Sequence, residues 1–314
     1  MADLPGGQES VSARHNAGVH RFALLTAGAT FLLLIAGALV TSNDAGLAVP
    51  DWPLSYGTWM PPMVGNIVYE HGHRMVATSV GLLTIALAVW LGLREPRRWV
   101  RRLGLLALGA IALQGILGGL TVLYLLPRPI SIAHASLAQL FFCLTVSLAV
   151  FTGPGWIRQT PRVTEEGTPW LGRLCELTTA ALFIQLVLGA AFRHQAIGVA
   201  PHLLGALAAT VLIVWTARRA RAPHLPGEMR RPALLLLLLL VAQLLLGTGA
   251  YLARLAAVDS SQPTPSFVFF TAAHLAVGAL LLATSAVLTL RCHRRLLRAA
   301  QLPSVSSAIQ RATP

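Results

Sequence analysis

The sequence predicts an all-α integral membrane protein whose eight transmembrane helices form two pseudo-symmetric four-helix bundles. Of its 314 residues, 55% are hydrophobic and 11% are charged, and the mean hydropathy of +0.67 is higher than a soluble domain of this length normally carries. The apolar residues fall in runs long enough to cross a bilayer core of about 30 Å. A short phrase containing a glutamine and a glycine recurs in these runs and indicates an internal repeat.

The apolar runs are each about 20 residues long, which is the length that a spanning helix needs. The first run has no small-residue cleavage site after it, so we interpret it as a retained helix rather than a signal peptide. Two later runs begin directly after proline-bearing turns, where a first-turn proline fits a helix start. The predicted spans are residues 21–41, 72–92, 103–124, 131–152, 174–193, 200–217, 233–253 and 267–290.

These spans divide the chain into two similar halves of four helices each. The loop between the first two spans, at 42–69, is much longer than its counterpart in the second half. The predicted organisation is an N-terminal tail at 1–20, a first half at 21–152, a linker at 153–173, a second half at 174–290 and a C-terminal tail at 291–314.

The distribution of arginine predicts the orientation in the membrane. A formal charge of +13 is compatible with nucleic-acid binding, but the 24 basic residues lie between apolar runs and not on a soluble face, which excludes that class. Since basic short loops stay in the cytoplasm, both termini are predicted to be cytoplasmic. The opposite, outer side holds only four of the arginines, Arg74, Arg128, Arg193 and Arg254, together with Asp44, Asp51, Glu70 and Asp259.

The repeated phrase reads "QGILGG" at 114–119, "QLVLGA" at 185–190 and "QLLLGT" at 243–248. Its glycines are typical of positions where membrane helices pack closely. Its glutamines either form hydrogen bonds across helices or point toward a bound group, and the sequence does not separate these alternatives.

Four of the ten histidines recur at one depth, each in or near the first turns of an even-numbered span. Polar groups inside the apolar layer tend to be functional, and neutral imidazole is a common ligand of haem iron. Ligands from two facing helices of a bundle can hold one cofactor, which predicts two haem sites. Zinc is disfavoured because each half offers only two such histidines and no nearby cysteine. The predicted pairs are His73 with His134 and His202 with His274.

The remaining histidines are given lesser roles. His71 points away from His73 on a helix, so we expect a loop or surface residue. His194 lies in a short outer loop and is a candidate contact for a haem propionate or an electron donor. His15, His20, His224 and His293 fall in tails or cytoplasmic loops, where a solvated side chain is expected.

Glu70 and Arg74 flank His73 in the phrase "EHGHR". If the helix begins by residue 70, Glu70 and His73 share one face, one turn apart. The carboxyl group then acts on whatever His73 binds, as acid, base or electrostatic stabiliser, or it simply stabilises the helix start. Arg74 either binds a haem propionate or lies at the membrane interface.

With these residues in view, the chain resembles the haem A synthase family, the CtaA and Cox15 proteins of cytochrome oxidase assembly. The resemblance rests on the "GLAVPDWPLSYG" loop, the Glu70-x-x-His73-Arg74 motif, and His134, His202 and His274 in the expected helices. It implies an oxidoreductase that converts the C8 methyl group of haem O to the formyl group of haem A by successive hydroxylations.

The resemblance also implies a division of labour between the halves. His73 and His134 would bind the substrate haem O, with Glu70 as the catalytic residue and Arg74 near a propionate. His202 and His274 would bind haem b as the electron-transfer cofactor. The implied location is a bacterial cytoplasmic membrane with the haem sites toward its outer face. Membrane lipid, a haem O synthase, an electron donor and a second copy of the chain are the partners considered.

This chain departs from the family pattern in one respect. Some members carry a cysteine pair in the first outer loop, where this sequence has Val49 and Ser55. Two alternatives therefore stay open: a di-haem b electron-transfer subunit that does not modify its haem, and a haem-binding assembly factor without oxidation activity. The former predicts four equivalent ligands but gives Glu70 and the long loop no task.

Overall fold

The computed structural model describes residues 16–158, 160–258 and 260–298. Within these ranges lie eight helices long and apolar enough to cross a membrane, which confirms that prediction. Each begins or ends within a few residues of its predicted boundary. The helices are α1 (Ala17–Ser42), α2 (Ile67–Arg94), α3 (Arg98–Leu123), α4 (Arg128–Thr152), α5 (Leu171–Arg193), α6 (Val199–Ala220), α7 (Arg230–Ala256) and α8 (Pro265–Arg295).

In each half the helices form a closed ring. In the first half α1 packs on α2, α2 on α3, α3 on α4, and α4 returns to α1; in the second half α5 to α8 follow the same order. The even-numbered helices of each ring therefore face each other diagonally. The halves meet where α1 and α4 pack on α8 and where α4 packs on α5. The twofold pseudo-symmetry that the sequence repeat suggests stays a prediction.

Three clusters of buried side chains hold the rings together. One lies inside the first ring around Val80, Leu87 and Leu148, and another inside the second ring around Leu236 and Leu288. A smaller cluster of Leu34, Phe142, Ala279 and Ala283 fills the seam between the halves. Because lipid tails are as apolar as leucine, close packing rather than exclusion of water stabilises these contacts.

The linker and the C-terminal segment pair with each other at the arginine-rich end. Strand β1 (Val163–Glu165) lies parallel to strand β2 (Leu296–Arg298), with Val163 opposite Leu296. The Glu165 carboxylate forms an ion pair with Arg219 and accepts the backbone N–H of Leu171 (3.0 Å) at the start of α5. The sequence did not predict either strand, since three residues carry no measurable periodicity.

The predicted tails fall only partly within the described residues. Residues 291–295 continue α8. His20, expected to be solvated, lies in α1, where its Nδ1 is 3.1 Å from the carbonyl oxygen of Ala149, so that expectation was wrong. The described residues do not include residues 1–15, among them His15, nor Asp259, nor residues 299–314.

Candidate functional site

The four histidines singled out by depth lie at one end of the bundle, each within the first three turns of α2, α4, α6 or α8. The rings of His202 and His274 meet edge to face, with centroids 6.3 Å apart. His73 and His134 lie on α2 and α4, the diagonal helices of the first ring, close enough to interact electrostatically. The structure thus brings together the pairs that the sequence suggested.

Each of these histidines packs against a glycine of the preceding helix. A Cβ atom added at each glycine would lie close to the Cε1 atom of a histidine ring. The distances are 3.2 Å from Gly37 to His73, 3.3 Å from Gly118 to His134, 3.1 Å from Gly189 to His202 and 2.8 Å from Gly247 to His274. Three of these glycines belong to the repeated phrase, and the fourth holds the same place in α1. The sequence predicted close helix packing at these glycines, and the structure shows that the group packed against each glycine is an imidazole ring.

The glutamines of the phrase form hydrogen bonds across helices. The amide of Gln114 donates to the carbonyl oxygen of His134 (3.1 Å). The amide of Gln185 donates to the carbonyl oxygen of His202 (2.9 Å) and to its ring Nδ1 (3.1 Å). The fourth site differs, because Leu33 occupies the corresponding position in α1, four residues before Gly37.

The contacts of Gln243 define the tautomer of His274. Nδ1 of His274 lies 3.2 Å from the backbone carbonyl oxygen of Gln243, which can only accept, so Nδ1 carries the proton. The amide of Gln243 then donates to Nε2 (3.3 Å). A ligand histidine usually donates one ring N–H to such an acceptor and binds the metal through the other nitrogen. Coordination of His274 through Nε2 would require the amide of Gln243 to move away from that nitrogen.

The donor set fits a haem, because His202 and His274 supply two imidazoles whose ring centroids lie 6.3 Å apart. Unpartnered polar atoms cluster at both pairs: Nδ1 of His73 and His134 and Oε1 of the three glutamines are buried without a hydrogen-bond partner among the described residues. Such atoms are rare in folded proteins, and these are available to a bound group or to water.

Glu70 lies inside α2, one turn before His73, as the expected helix start required. Glu70 as a whole is 4% exposed. One oxygen accepts the backbone N–H of Val49 (2.8 Å) and the other pairs with Arg74 (2.7 Å). The carboxylate therefore binds the outer loop and Arg74. Its hydrogen bonds do not go to the first N–H groups of its own helix, which was the alternative.

Arg74 ties the outer loop to α2. Its guanidinium donates to the carbonyl oxygens of Asp51 (2.7 Å) and Leu54 (2.9 Å) as well as to Glu70. Five N–H donors in a planar fork allow one arginine to hold several acceptors at once. The propionate contact suggested for this residue stays a prediction.

His71 is buried, so its assignment as a loop or surface residue was wrong. Its Nδ1 lies 2.8 Å from the hydroxyl oxygen of Ser55, and both side chains are at most 5% exposed. The cause is the loop, which folds back over the start of α2. Trp52 of the same loop lies against Gly119 of α3, where a Cβ atom would be 2.8 Å from the indole ring.

The loop also has an internal anchor. The carboxylate of Asp51 accepts the backbone N–H groups of Tyr56 (2.7 Å) and Gly57 (2.8 Å), both of which have positive φ. The Gly57 hydrogen bond has the largest effect on Asp51 and, against an opposing effect of desolvation, holds the pKa of its carboxyl below the usual value. The loop over the first histidine pair is therefore held at both its tip and its base.

Residues at the end of α5 border both pairs; the sequence singled out His194 among them, but not Phe192. Phe192 stacks on the ring of His202 with centroids 6.3 Å apart, and Arg254 lies over Phe192 at 4.9 Å. The neighbouring Arg193 donates to the carbonyl oxygen of Thr41 in the first half. His194 lies within electrostatic range of His134, and burial, followed by the charge of Arg193, lowers its pKa. No sequence pattern marks Phe192, since an aromatic residue at a helix end is common.

Comparison with known proteins gives consistent results. The model of the COX15-CtaA family, described as cytochrome oxidase assembly protein, matches residues 6–146 and 65–200. A relative from Symbiobacterium thermophilum named "Heme A synthase" is 32% identical over 250 residues, which cover 69% of this chain and 80% of the relative.

Two further relatives of the same name match a shorter part of the chain. Those from Roseobacter denitrificans and Shouchella clausii are 34% and 33% identical, and the matches cover 40% and 42% of this chain. They span 35% and 44% of those relatives. On the family match and the long relative together, the chain belongs to the COX15-CtaA family of cytochrome oxidase assembly proteins.

Proposed function

We propose that the chain is a haem A synthase, an oxidoreductase that converts the C8 methyl group of haem O to the formyl group of haem A. Family membership and the shared name of its relatives support this function. The observation that carries it is an asymmetry: two histidine pairs lie at equivalent depth, but among the described residues only the pair of His73 and His134 has a buried carboxylate and a long hydrogen-bonded loop beside it. Such an asymmetry is expected, because the proposed reaction modifies only one of the two haems, the substrate.

The first half binds haem O as substrate in this proposal. His73 and His134 bind its iron, and Glu70 lies one helical turn from His73 on the same face. Two hydroxylations of the methyl carbon followed by loss of water give the formyl group. Since Glu70 forms an ion pair with Arg74, its carboxylate acts as an electrostatic stabiliser of positive charge near the methyl group in this proposal.

The outer loop excludes water from this substrate site. Arg74 and Glu70 hold the loop by its backbone, and Trp52 closes it against α3. Exclusion of water strengthens the electrostatic effect of Glu70 and protects reactive intermediates. Arg74 thereby acts on the reaction through the loop, whether or not a propionate also reaches it.

The second half holds haem b through His202 and His274. A haem b bound there would supply a one-electron redox centre. His274 is already in the required tautomer. For His202, the amide of Gln185 donates to Nδ1, so coordination through Nε2 requires the proton to move to Nδ1. A half-turn of that amide would present its unpartnered Oε1 to Nδ1–H.

The setting follows from the fold and the arginine pattern. The relatives are bacterial, which supports a bacterial cytoplasmic membrane, and the excess of arginine at the opposite end supports cytoplasmic termini with haem sites toward the outer face. A haem O synthase, as the source of the substrate, and an electron donor are the proposed partners. Self-association stays open.

Extraction and chromatography of the haems from protein purified after co-expression with a source of haem O test this function. We expect haem b together with haem O and haem A. A di-haem b electron-transfer subunit would give haem b alone and would never convert added haem O. That second result would refute the proposal, because the family match alone does not require catalysis.

A further inference from the structure

A groove runs along the seam between the two halves at the arginine-rich end of the bundle. Its volume is about 930 Å³, and its walls come from α1 and α4 of the first half and α7 and α8 of the second. It lies at the opposite end from the four histidines and serves none of the steps described above.

The deep part of the groove is apolar and the end of the groove is basic. Leu24, Phe142, Leu235 and Leu280 contribute to the apolar walls. At the end of the helices the lining changes to the arginines Arg231, Arg291, Arg294 and Arg295 with a single acidic residue, Glu228. A ligand that fits both parts has an apolar chain and a negatively charged head.

Two of these arginines have unused hydrogen-bonding capacity. Arg295 pairs with Glu228 through NH1 (3.2 Å), but its Nε is buried without a partner among the described residues. Arg231 is exposed at the mouth of the groove. By contrast, Arg291 and Arg294 donate to the backbone carbonyl oxygens of Glu228 (2.8 Å) and Arg158 (2.6 Å). The latter pair fixes the shape of the groove. Arg231 is free to bind an anion, and Arg295 can add the guanidinium N–H groups that Glu228 does not occupy.

The length of the groove matches one leaflet of a bilayer. Along α8 the lining extends from Leu280 to Arg295, which at 1.5 Å per residue is about 22 Å. One leaflet measures about 20–22 Å including its headgroups. The arginines then lie at headgroup depth and Leu280 near the middle of the membrane.

We propose that this groove is a binding site for one acidic phospholipid, with its phosphate at Arg231 and Arg295 and an acyl chain along the apolar wall. Basic pockets between membrane helices on the cytoplasmic side recognise anionic headgroups by charge. Because the groove lies on the seam, the lipid contacts both halves and stabilises their association.

The test uses full-length protein purified in detergent and stripped of lipid. Its melting temperature is measured with phosphatidylglycerol, with phosphatidylcholine of the same acyl chains, and with inorganic phosphate. We expect phosphatidylglycerol to raise the melting temperature by about 3 °C or more and the other two to have little effect. Mass spectrometry of protein purified without stripping should find about one acidic phospholipid per chain.

Two variants separate the head of the site from its apolar wall. The double variant Arg231→Gln/Arg295→Gln removes the free donors, and Thr284→Phe fills the groove below the arginines. Both should abolish the response to phosphatidylglycerol, whereas Arg230→Gln, which lies next to the groove but does not line it, should keep it.

Three results would overturn the proposal. Equal shifts with both lipids would show that headgroup charge does not matter, and a full shift with inorganic phosphate would reduce the site to an anion site without a lipid chain. An unchanged response in the double variant would remove the arginines from the site, and this holds even if Thr284→Phe fails to fold.

Discussion

Replacement of Gly247 by alanine removes the space that the His274 ring fills. The new Cβ would lie 2.8 Å from the ring Cε1 atom, where ordinary van der Waals contact begins at 3.4 Å, so the two must separate by 3.4 − 2.8 = 0.6 Å. Metal–ligand distances tolerate only about 0.2 Å. The ring of His274 should therefore lose its position for binding iron.

The same substitution has a small effect on folding. Alanine is favoured over glycine in a helix by about 1 kcal/mol, and overpacking costs about 1–3 kcal/mol, so the net loss is between about 0 and 2 kcal/mol. Gly247→Ala should fold but lose most of its haem b. Gly189→Ala, where the Cβ would lie 3.1 Å from the His202 ring, should show a weaker version of this loss.

The assay is the absorption spectrum of the reduced protein combined with haem extraction, with thermal unfolding as the measure of folding. Gly115→Ala is the matched control, because a Cβ there meets nothing within 4 Å; it should keep its haem. If Gly247→Ala retains haem b with an unchanged spectrum, the assignment of His274 as a ligand held by this packing is refuted.

The remaining predictions concern a hydrogen bond, the carboxylate and the loop. Gln243→Leu should shift the spectrum and midpoint potential of haem b, because the amide of Gln243 contacts the His274 ring. Gln114→Leu should cause no such shift, because the amide of Gln114 contacts only the backbone carbonyl of His134. Equal effects of the two variants would show that Gln243 does not influence haem b through the His274 ring. Glu70→Ala should keep haem binding but stall haem A formation, measured by haem extraction, and haem A made at the normal rate would end its catalytic role. Since the pKa of Asp51 is lowered from its usual 3.8, its contribution to loop stability is complete above that pH and is lost as the pH falls through the lower folded value. Tryptophan fluorescence should report this acid transition, and Asp51→Asn should abolish it; a transition that persists in that variant would have another origin.

The helices and the histidine depth could be predicted from the sequence because the bilayer imposes them directly. A spanning run must be apolar over about 20 residues, and a polar residue recurring within such runs is conspicuous. His73, His134, His202 and His274 could therefore be paired from the sequence alone.

The contacts of the outer loop could not be predicted in this way. Val49 binds Glu70 across 21 residues of sequence and Ser55 binds His71 across 16, and no periodicity links positions inside an irregular loop. The burial of His71 followed from that fold and was missed. The partner of each glycine was missed for a similar reason: the repeat located the glycines, but not the imidazole that each of them faces.

The parallel pairing of β1 with β2 has a bearing on the order in which the protein matures. Domains form as units while the chain is being synthesised, the N-terminal part first, so β1 leaves the ribosome long before its partner strand exists. Residues 163–165 must wait until all four helices of the second half have been made and inserted. Completion of the strand pair is thus a late event, and a chain truncated before residue 296 would hold its linker only through the contacts of Glu165 with Arg219 and Leu171.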